Sequence, residues 1–303
     1  MPSVFLHQIG ILPSLEIVPF FEEEFQTASN IGFVARSSYG SIARDMLTGT
    51  LDGGVLPWEI FTSDVLALPG QRAQWNVPFF PHACATELAL RPPIHKSLST
   101  KGGTRKLPAR LVIGVESRNS LTKDQVREWL CGLGKSAPPE IVFKFLPMDL
   151  MLQAMAADAI DGFIAPSPWG LIAEEKNLGI LDRRFKPGTF AQQIVVVCRK
   201  SQPIAGLPAM RELADALTRA RARLADPVPF EKAAYRMSLS GKPVIQVESL
   251  SHAARHHASP EPANDVLSDV AKLTHELQRL ESFAALPPQI APTGQTAMLL
   301  LPS

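Results

Sequence analysis

The stretch MLTGTLDGGVLPW, residues 46 to 58, has a counterpart in MAADAIDGFIAPSPW, residues 155 to 169. Each runs from a helix end through Asp-Gly and a short apolar run to Pro-Trp, so Asp52 and Asp161 hold equivalent places. The segments before them also correspond. SVFLHQIGILPSLEIVPFF matches ARLVIGVESRNSLTKDQVREWL as strand, serine-bearing loop and helix, and IGFVARSSYGSIARDML matches IVFKFLPMDLMLQAMAA as strand, loop and helix. Each half is therefore a β-α-β-α-β unit, and the chain reads as an α/β protein of two such domains with a cleft between them.

In parallel α/β sheets, ligands sit outside the carboxyl ends of the strands, where the following helices present free N–H groups. In the first half those ends carry Ser14, then Ser37, Ser38 and Tyr39, then Trp58. In the second they carry Ser117, Arg118, Asn119 and Ser120, then Ser167 and Trp169. Thr86 lies on CATELAL, an apolar stretch that reads as a further strand. Hydroxyls, amides and backbone N–H groups aimed from such loops can hold a small anion without a fixed countercharge, with Arg118 as the reserve cation. Taken singly, these residues have plainer readings: Ser14 caps a helix, Arg118 pairs with Glu116 on the surface, and each tryptophan fills a core. Their repetition in equivalent positions favours the cleft. The Asp-Gly turns come at strand starts, so Asp52 and Asp161 fix turns at the far end.

Thirty basic and 29 acidic side chains give a net charge of +1 over 303 residues, with 46% hydrophobic residues. That suits two domains with real cores and excludes the concentrated basic face that nucleic acid requires. Cys84, Cys131 and Cys198 are widely spaced and form no CxxC pair. Three reduced thiols fit a reducing compartment, and no disulfide framework or zinc site is expected. The beginning, MPSVFLHQIGILPSLEIVPF, has no basic region, and Pro13, Ser14 and Glu16 interrupt its apolar run. Neither a signal peptide nor a spanning helix is expected, which favours the cytoplasm over the periplasm.

Along the chain, a helix is expected from Ser14 to about Phe25 and a loop over 71–81. The turn-rich RPPIHKSLSTKGGTRKLPAR is the expected crossing to the second domain, as a surface loop, and QQIVVVC (192–198) the strand that returns to the first. The expected division is 1–90 plus 190–255, then 91–189, with 256–303 forming a helix and tail packed on the first domain. Helical stripes are expected over 209–224, 230–237 and 264–283, and a solvated loop around His252, His256 and His257. GxSxG, P-loop, HExxH and GxGxxG motifs are absent, so neither an enzyme nor a cofactor is expected.

The chain resembles the nitrate- and bicarbonate-binding components of ABC transporters, which have the periplasmic-binding-protein type II fold. LQAMAADAIDGFIAPSPWG is similar to that family's helix, small-residue turn, Ile-Asp-Gly-Phe and Glu-Pro-Trp-Asn. VESRNSLTKDQVREWLCGLG is similar to its Ser/Thr-rich loop and Arg-x-Trp-Leu helix, and SSYGSIARDMLTGTLDGGVL to its Ser-Trp loop, Arg-Asp helix and Gly-x-Leu-Asp-Ala strand. The match spans roughly 4 to 200. Tyr39 stands where the family has tryptophan, Ser167 where it has the glutamate of Glu-Pro-Trp, and Asn119 or Ser120 where it has His or Thr. No carboxylate cluster suited to the calcium of bicarbonate binders is present. The resemblance implies a non-catalytic binder of a small oxyanion such as nitrate or nitrite, closing by a hinge. It further implies a cytoplasmic sensor with an antiterminator or response-regulator partner, or a transport component with an ABC permease. The alternatives are a dehydratase of the menaquinone-pathway kind and a binder of a sulfonate or thiamine precursor.

Overall fold

A computed structural model describes residues 7–29, 31–84, 86–99, 109–117, 122–133, 140–183, 185, 192–201, 207–239 and 245–257. The first βαβαβ unit comprises β1 (His7–Ile11), a 3-10 helix (Leu15–Phe21), α1 (Glu23–Ser29), β2 (Ile31–Ala35), α2 (Tyr39–Thr48) and β3 (Gly53–Pro57). The chain continues through α3 (Trp58–Ile60), a π-helical segment (Phe61–Leu66) and β4 (Trp75–Cys84). Next come β5 (Thr86–Leu90), α4 (Pro92–Ser99) and the second unit: β6 (Arg110–Val115), α5 (Thr122–Gly132), β7 (Glu140–Phe145), α6 (Met148–Ala156) and β8 (Gly162–Pro166). It ends in α7 (Trp169–Glu175), β9 (Ile180–Leu181), β10 (Gln192–Arg199), α8 (Leu207–Arg223), α9 (Pro227–Leu239) and α10 (Val247–His257).

Two five-stranded sheets result, ordered β2-β1-β3-β10-β4 and β7-β6-β8-β5-β9. In each, three parallel strands from one βαβαβ unit are followed by an antiparallel strand supplied from outside it. The repeat extends to single atoms. Gln8 N–H donates to Asp52 Oδ2 and Val112 N–H donates to Asp161 Oδ2, both at 2.9 Å. Each Asp-Gly thus ties the start of one strand to its parallel neighbour, far from the carboxyl ends. The glycine that follows serves the antiparallel strand. A Cβ on Gly53 would lie 2.1 Å from Val197 O, and one on Gly162 would lie 2.6 Å from Ala89 O.

The returning strand 192–198 takes its expected place in the first sheet as β10. Five other expectations need correction. Residues 75–84, expected mostly as loop, form the edge strand β4; an edge position beside register irregularities tolerates Pro78 and Pro81, which cannot donate to a ladder. Strand β5, expected in the first domain, pairs with β8 and β9. The chain therefore enters the second sheet between Cys84 and Thr86, and the turn-rich segment begins as helix α4. The helix expected from Ser14 is split: Pro19 cannot donate within it, and Glu22 N–H closes on Pro19 O before α1 starts. The histidine-bearing linker is helix α10, with Leu250 and Ala253 buried and spaced to face one neighbour. The helix expected at 264–283 lies outside the described residues.

Burial alternates with the pleat of the second sheet. Phe163 and Ala165 enter one large core that also holds the first sheet's strands, whereas Ile164, Leu88 and Leu90 enter a smaller one with Val126, Trp129 and Leu130 of α5. In the first half, Phe20 and Phe25 pack edge to face at 5.0 Å, and such a pair contributes about 0.5–1.5 kcal/mol beyond its burial. Among the described residues no helix is long and apolar enough to cross a membrane.

Candidate ligand-binding site

The carboxyl ends of the two sets of parallel strands meet. Leu15 N–H, beyond β1, donates to Ser167 O beyond β8 at 2.8 Å, and the indole N–H of Trp169 donates to Pro13 O at 3.2 Å. Met148 N–H, opening α6, donates to Ser37 O at 3.2 Å. Tyr39 N–H and Gly40 N–H, in the first turn of α2, both donate to Glu116 Oε1 beyond β6, the second at 3.3 Å. Every partner in these bonds belongs to the other half. The two lips are therefore in contact across one seam.

Residue chemistry explains how α2 reaches it. Ser38 is extended and caps the helix: its Oγ accepts from Ser41 N–H at 3.0 Å, while Ser41 Oγ donates to Ser38 O at 2.6 Å. The remaining first-turn N–H groups carry the helix's positive end and have no partner within the helix. Glu116 supplies that partner from the other half. Part of its side chain reaches solvent, yet desolvation pushes the carboxyl up to about 8, against the lowering effect of the two N–H bonds. Asp64 and Glu59 raise it further. Within the second half, α7 is capped in the same way. The buried Glu87 Oε2 accepts from Gly170 N–H at 2.7 Å and Leu171 N–H at 3.2 Å. A Cβ on Gly170 would stand 2.8 Å from Glu87 Cβ, so glycine permits this approach.

The expected site residues divide by what they do here. Ser37 and Tyr39 contribute backbone groups to the seam, and Ser38 spends its hydroxyl on the cap. Ser14 is buried at the start of the 3-10 helix, without the side-chain capping bond expected of it. Trp58 is half-buried against Phe61, with ring centroids 5.9 Å apart. Thr86 and Ser117 are buried, Thr86 opposite Pro166 and Ser117 next to Glu116. Trp169, only 3% exposed, is a rivet between the halves rather than an open wall. Ser167 is 0% exposed, and its hydroxyl has no hydrogen-bond partner. Arg118, Asn119 and Ser120 lie outside the described residues. Sequence reasoning missed Glu59, Asp64 and Glu87, and it named Glu116 only as a surface partner in the plainer reading of Arg118. For Glu116 and Glu87 the available signal was a lone acid just after or within an apolar strand, in RLVIGVE and in TELAL. Among the described residues, no three His, Cys, Asp or Glu side chains are grouped to hold a metal ion.

No protein-family model and no curated protein matches the sequence. Solved structures do match the fold. The alkanesulfonate-binding protein SsuA from Xanthomonas axonopodis pv. citri, bound to MOPS, superposes with a TM-score of 0.63 at 15% identity, covering 97% of this chain and 96% of that one. The periplasmic nitrate-binding protein NrtA from Synechocystis PCC 6803 gives 0.60 at 14% identity, covering 84% and 70%. The zinc-bound ligand-binding component of an ABC-type import system from Staphylococcus aureus gives 0.60 at 16%, covering 82% and 83%. These likenesses establish the periplasmic-binding-protein type II fold.

Proposed function

We infer that this chain is a non-catalytic clamp that binds a small molecule between its two halves. The observation that carries the reading is the seam: the carboxyl strand ends of two repeated units face each other and bond directly. Hinge closure on a ligand is the motion such an arrangement permits. The structural neighbours are small-ligand binders, which supports the same class.

For the ligand, the seam favours a neutral or positively charged molecule rich in hydrogen-bond donors over nitrate or another oxyanion. The N–H groups that would hold an anion at α2 and α7 already serve Glu116 and Glu87. Burial is the main cause that raises the Glu116 carboxyl, and the neighbouring acids Asp64 and Glu59, which add to it, disfavour a further negative charge beside it. We place the protein in a reducing compartment, as the free thiols of Cys131 and Cys198 suggest, with a permease or a regulatory protein as its partner. Fractionation of native cells tests the compartment.

A thermal-shift panel tests the binding class. Nitrate, sulfate and ethanesulfonate form one arm, and alkyl diamines, guanidines and aminopyrimidines form the other. A donor-rich compound is expected to raise the melting temperature by mass action. Stabilisation by nitrate or a sulfonate alone would reinstate the oxyanion.

A further inference from the structure

We propose that the outward face of α9 is a docking surface for residues 264–283 of the same chain, whether or not the two halves open as a clamp. The helix has two apolar faces. Phe230, Ala233, Ala234 and Met237 are buried against the core. Val228, Tyr235 and Leu239 lie on the opposite side, 58%, 58% and 67% exposed, with the exposed Lys232 in line between them. Six large apolar side chains are exposed among the described residues, and half of them stand in this one row. Scattered apolar residues on a surface are ordinary. A row at positions 228, 232, 235 and 239, spaced 4-3-4, is instead the seam that a second helix covers.

Spacing, reach and charge identify the occupant. The sequence over 264–283 carries a matching row, Val266, Val270, Leu273, Leu277 and Leu280, spaced 4-3-4-3. Asn264 is a favoured helix cap before that row, and Pro287 and Pro288 bar its continuation. Helix α10 packs against α9 and ends at His257, nine positions before Val266. Nine extended residues span up to about 30 Å, whereas the 13 residues of α9 measure about 20 Å, so the tether reaches every part of the surface. Asp269, Glu276 and Glu281 border the segment's apolar row at helical spacing. They meet two cations on the outward side of α9, Lys232 and Arg236, against a single acid, Glu231. The same row on a second copy is a poorer partner, because in a parallel pair Glu276 of each segment would face Glu281 of the other.

Tyr235 reports the contact by itself, because the chain's other tyrosine, Tyr39, is buried. Nitration of the native full chain with tetranitromethane, located by peptide mass spectrometry, is expected to spare Tyr235. Replacing Leu273→Asp together with Leu277→Asp should abolish that shielding while Tyr39 stays unmodified. The reciprocal variant, Tyr235→Asp with Leu239→Asp, alters only side chains that face away from the core, so α9 stays folded. It should abolish the amide-exchange protection of residues 264–283 that the wild type is expected to show. Ready nitration of Tyr235 in the wild type overturns the proposal, as does shielding that survives the two substitutions in the segment. Protection of 264–283 that survives the two substitutions on α9 overturns it equally. Shielding of Tyr235 that disappears on dilution, together with a dimer's mass in light scattering, would assign the surface to a second copy instead.

Discussion

Replacing Asp161 with asparagine tests the residue on which the repeated design turns. Its Oδ2 accepts Val112 N–H at 2.9 Å and its Oδ1 pairs with Arg91 Nη2 at 2.5 Å, while the backbone of the same residue bonds both Val112 O and Arg91 N–H. Arg91 is 24% exposed and Asp161 16%, so the pair is shielded, though not sealed. The Arg91 pKa is raised chiefly by its hydrogen bond to Asp161, and its buried Nε has no partner of its own. Asparagine keeps one acceptor oxygen but turns an NH2 group toward one of two donors, and the charge is lost. Hydrogen bonds to charged groups contribute about 1.5–3 kcal/mol, and partial exposure argues for the lower half of that range. At about 2–4 °C per kcal/mol, the melting temperature should fall by roughly 3–8 °C. Asp158→Asn is the control. It contacts the same guanidinium with a side chain 75% exposed, so it should cost no more than about 0.5 kcal/mol. Urea and thermal unfolding of both variants provide the measurement, and equal losses would refute the argument that Asp161 ties the second sheet together.

Ser38→Ala removes the α2 cap and should cost about 1 kcal/mol in urea unfolding, since Ser41 N–H loses its side-chain acceptor and keeps only the longer bond to Ser38 O. Ser167→Ala should leave the ligand-free protein as stable as wild type or slightly more so, because the hydroxyl it removes is buried and unsatisfied; calorimetry with any compound from the thermal-shift panel should then show weaker binding. Cys131 should react readily with a maleimide and Cys198 should stay unmodified in the native state, because it is buried and desolvation pushes its thiol up to about 12.

The repeat was legible because the same physical demands recur at the same places. Asp-Gly at a strand start satisfies a neighbouring N–H through its carboxylate and admits a third strand beside its glycine, and finding it twice made Asp52 and Asp161 readable. The strands β3, β6, β8 and β10 were legible as mainly apolar runs, and β1 as a strand despite its polar His7 and Gln8. β4 was not, since two prolines break its pattern and only its edge position and irregular register accommodate them. The membership of β5 was equally hidden. Its residues declare a buried strand but not which sheet buries it. In the site, the serine and tyrosine loop was found through its place at a strand's carboxyl end, whereas Glu116 depends on contact between segments 76 and 77 positions apart. Local sequence assigns such a carboxylate to the surface by default. Its role follows only from the meeting of the two halves.

Amide hydrogen exchange across the seam tests the central claim most directly. The N–H groups of Leu15, Tyr39, Gly40 and Met148 find their acceptors in the opposite half, whereas those within the β1–β2 and β6–β7 ladders find theirs within one sheet. If the halves open as a clamp, these four amides exchange together through a shared opening that leaves β1 and β6 protected, and a bound ligand slows all four. Exchange of the four only at the rate of global unfolding, in step with the sheet cores, would show one rigid body and contradict the account.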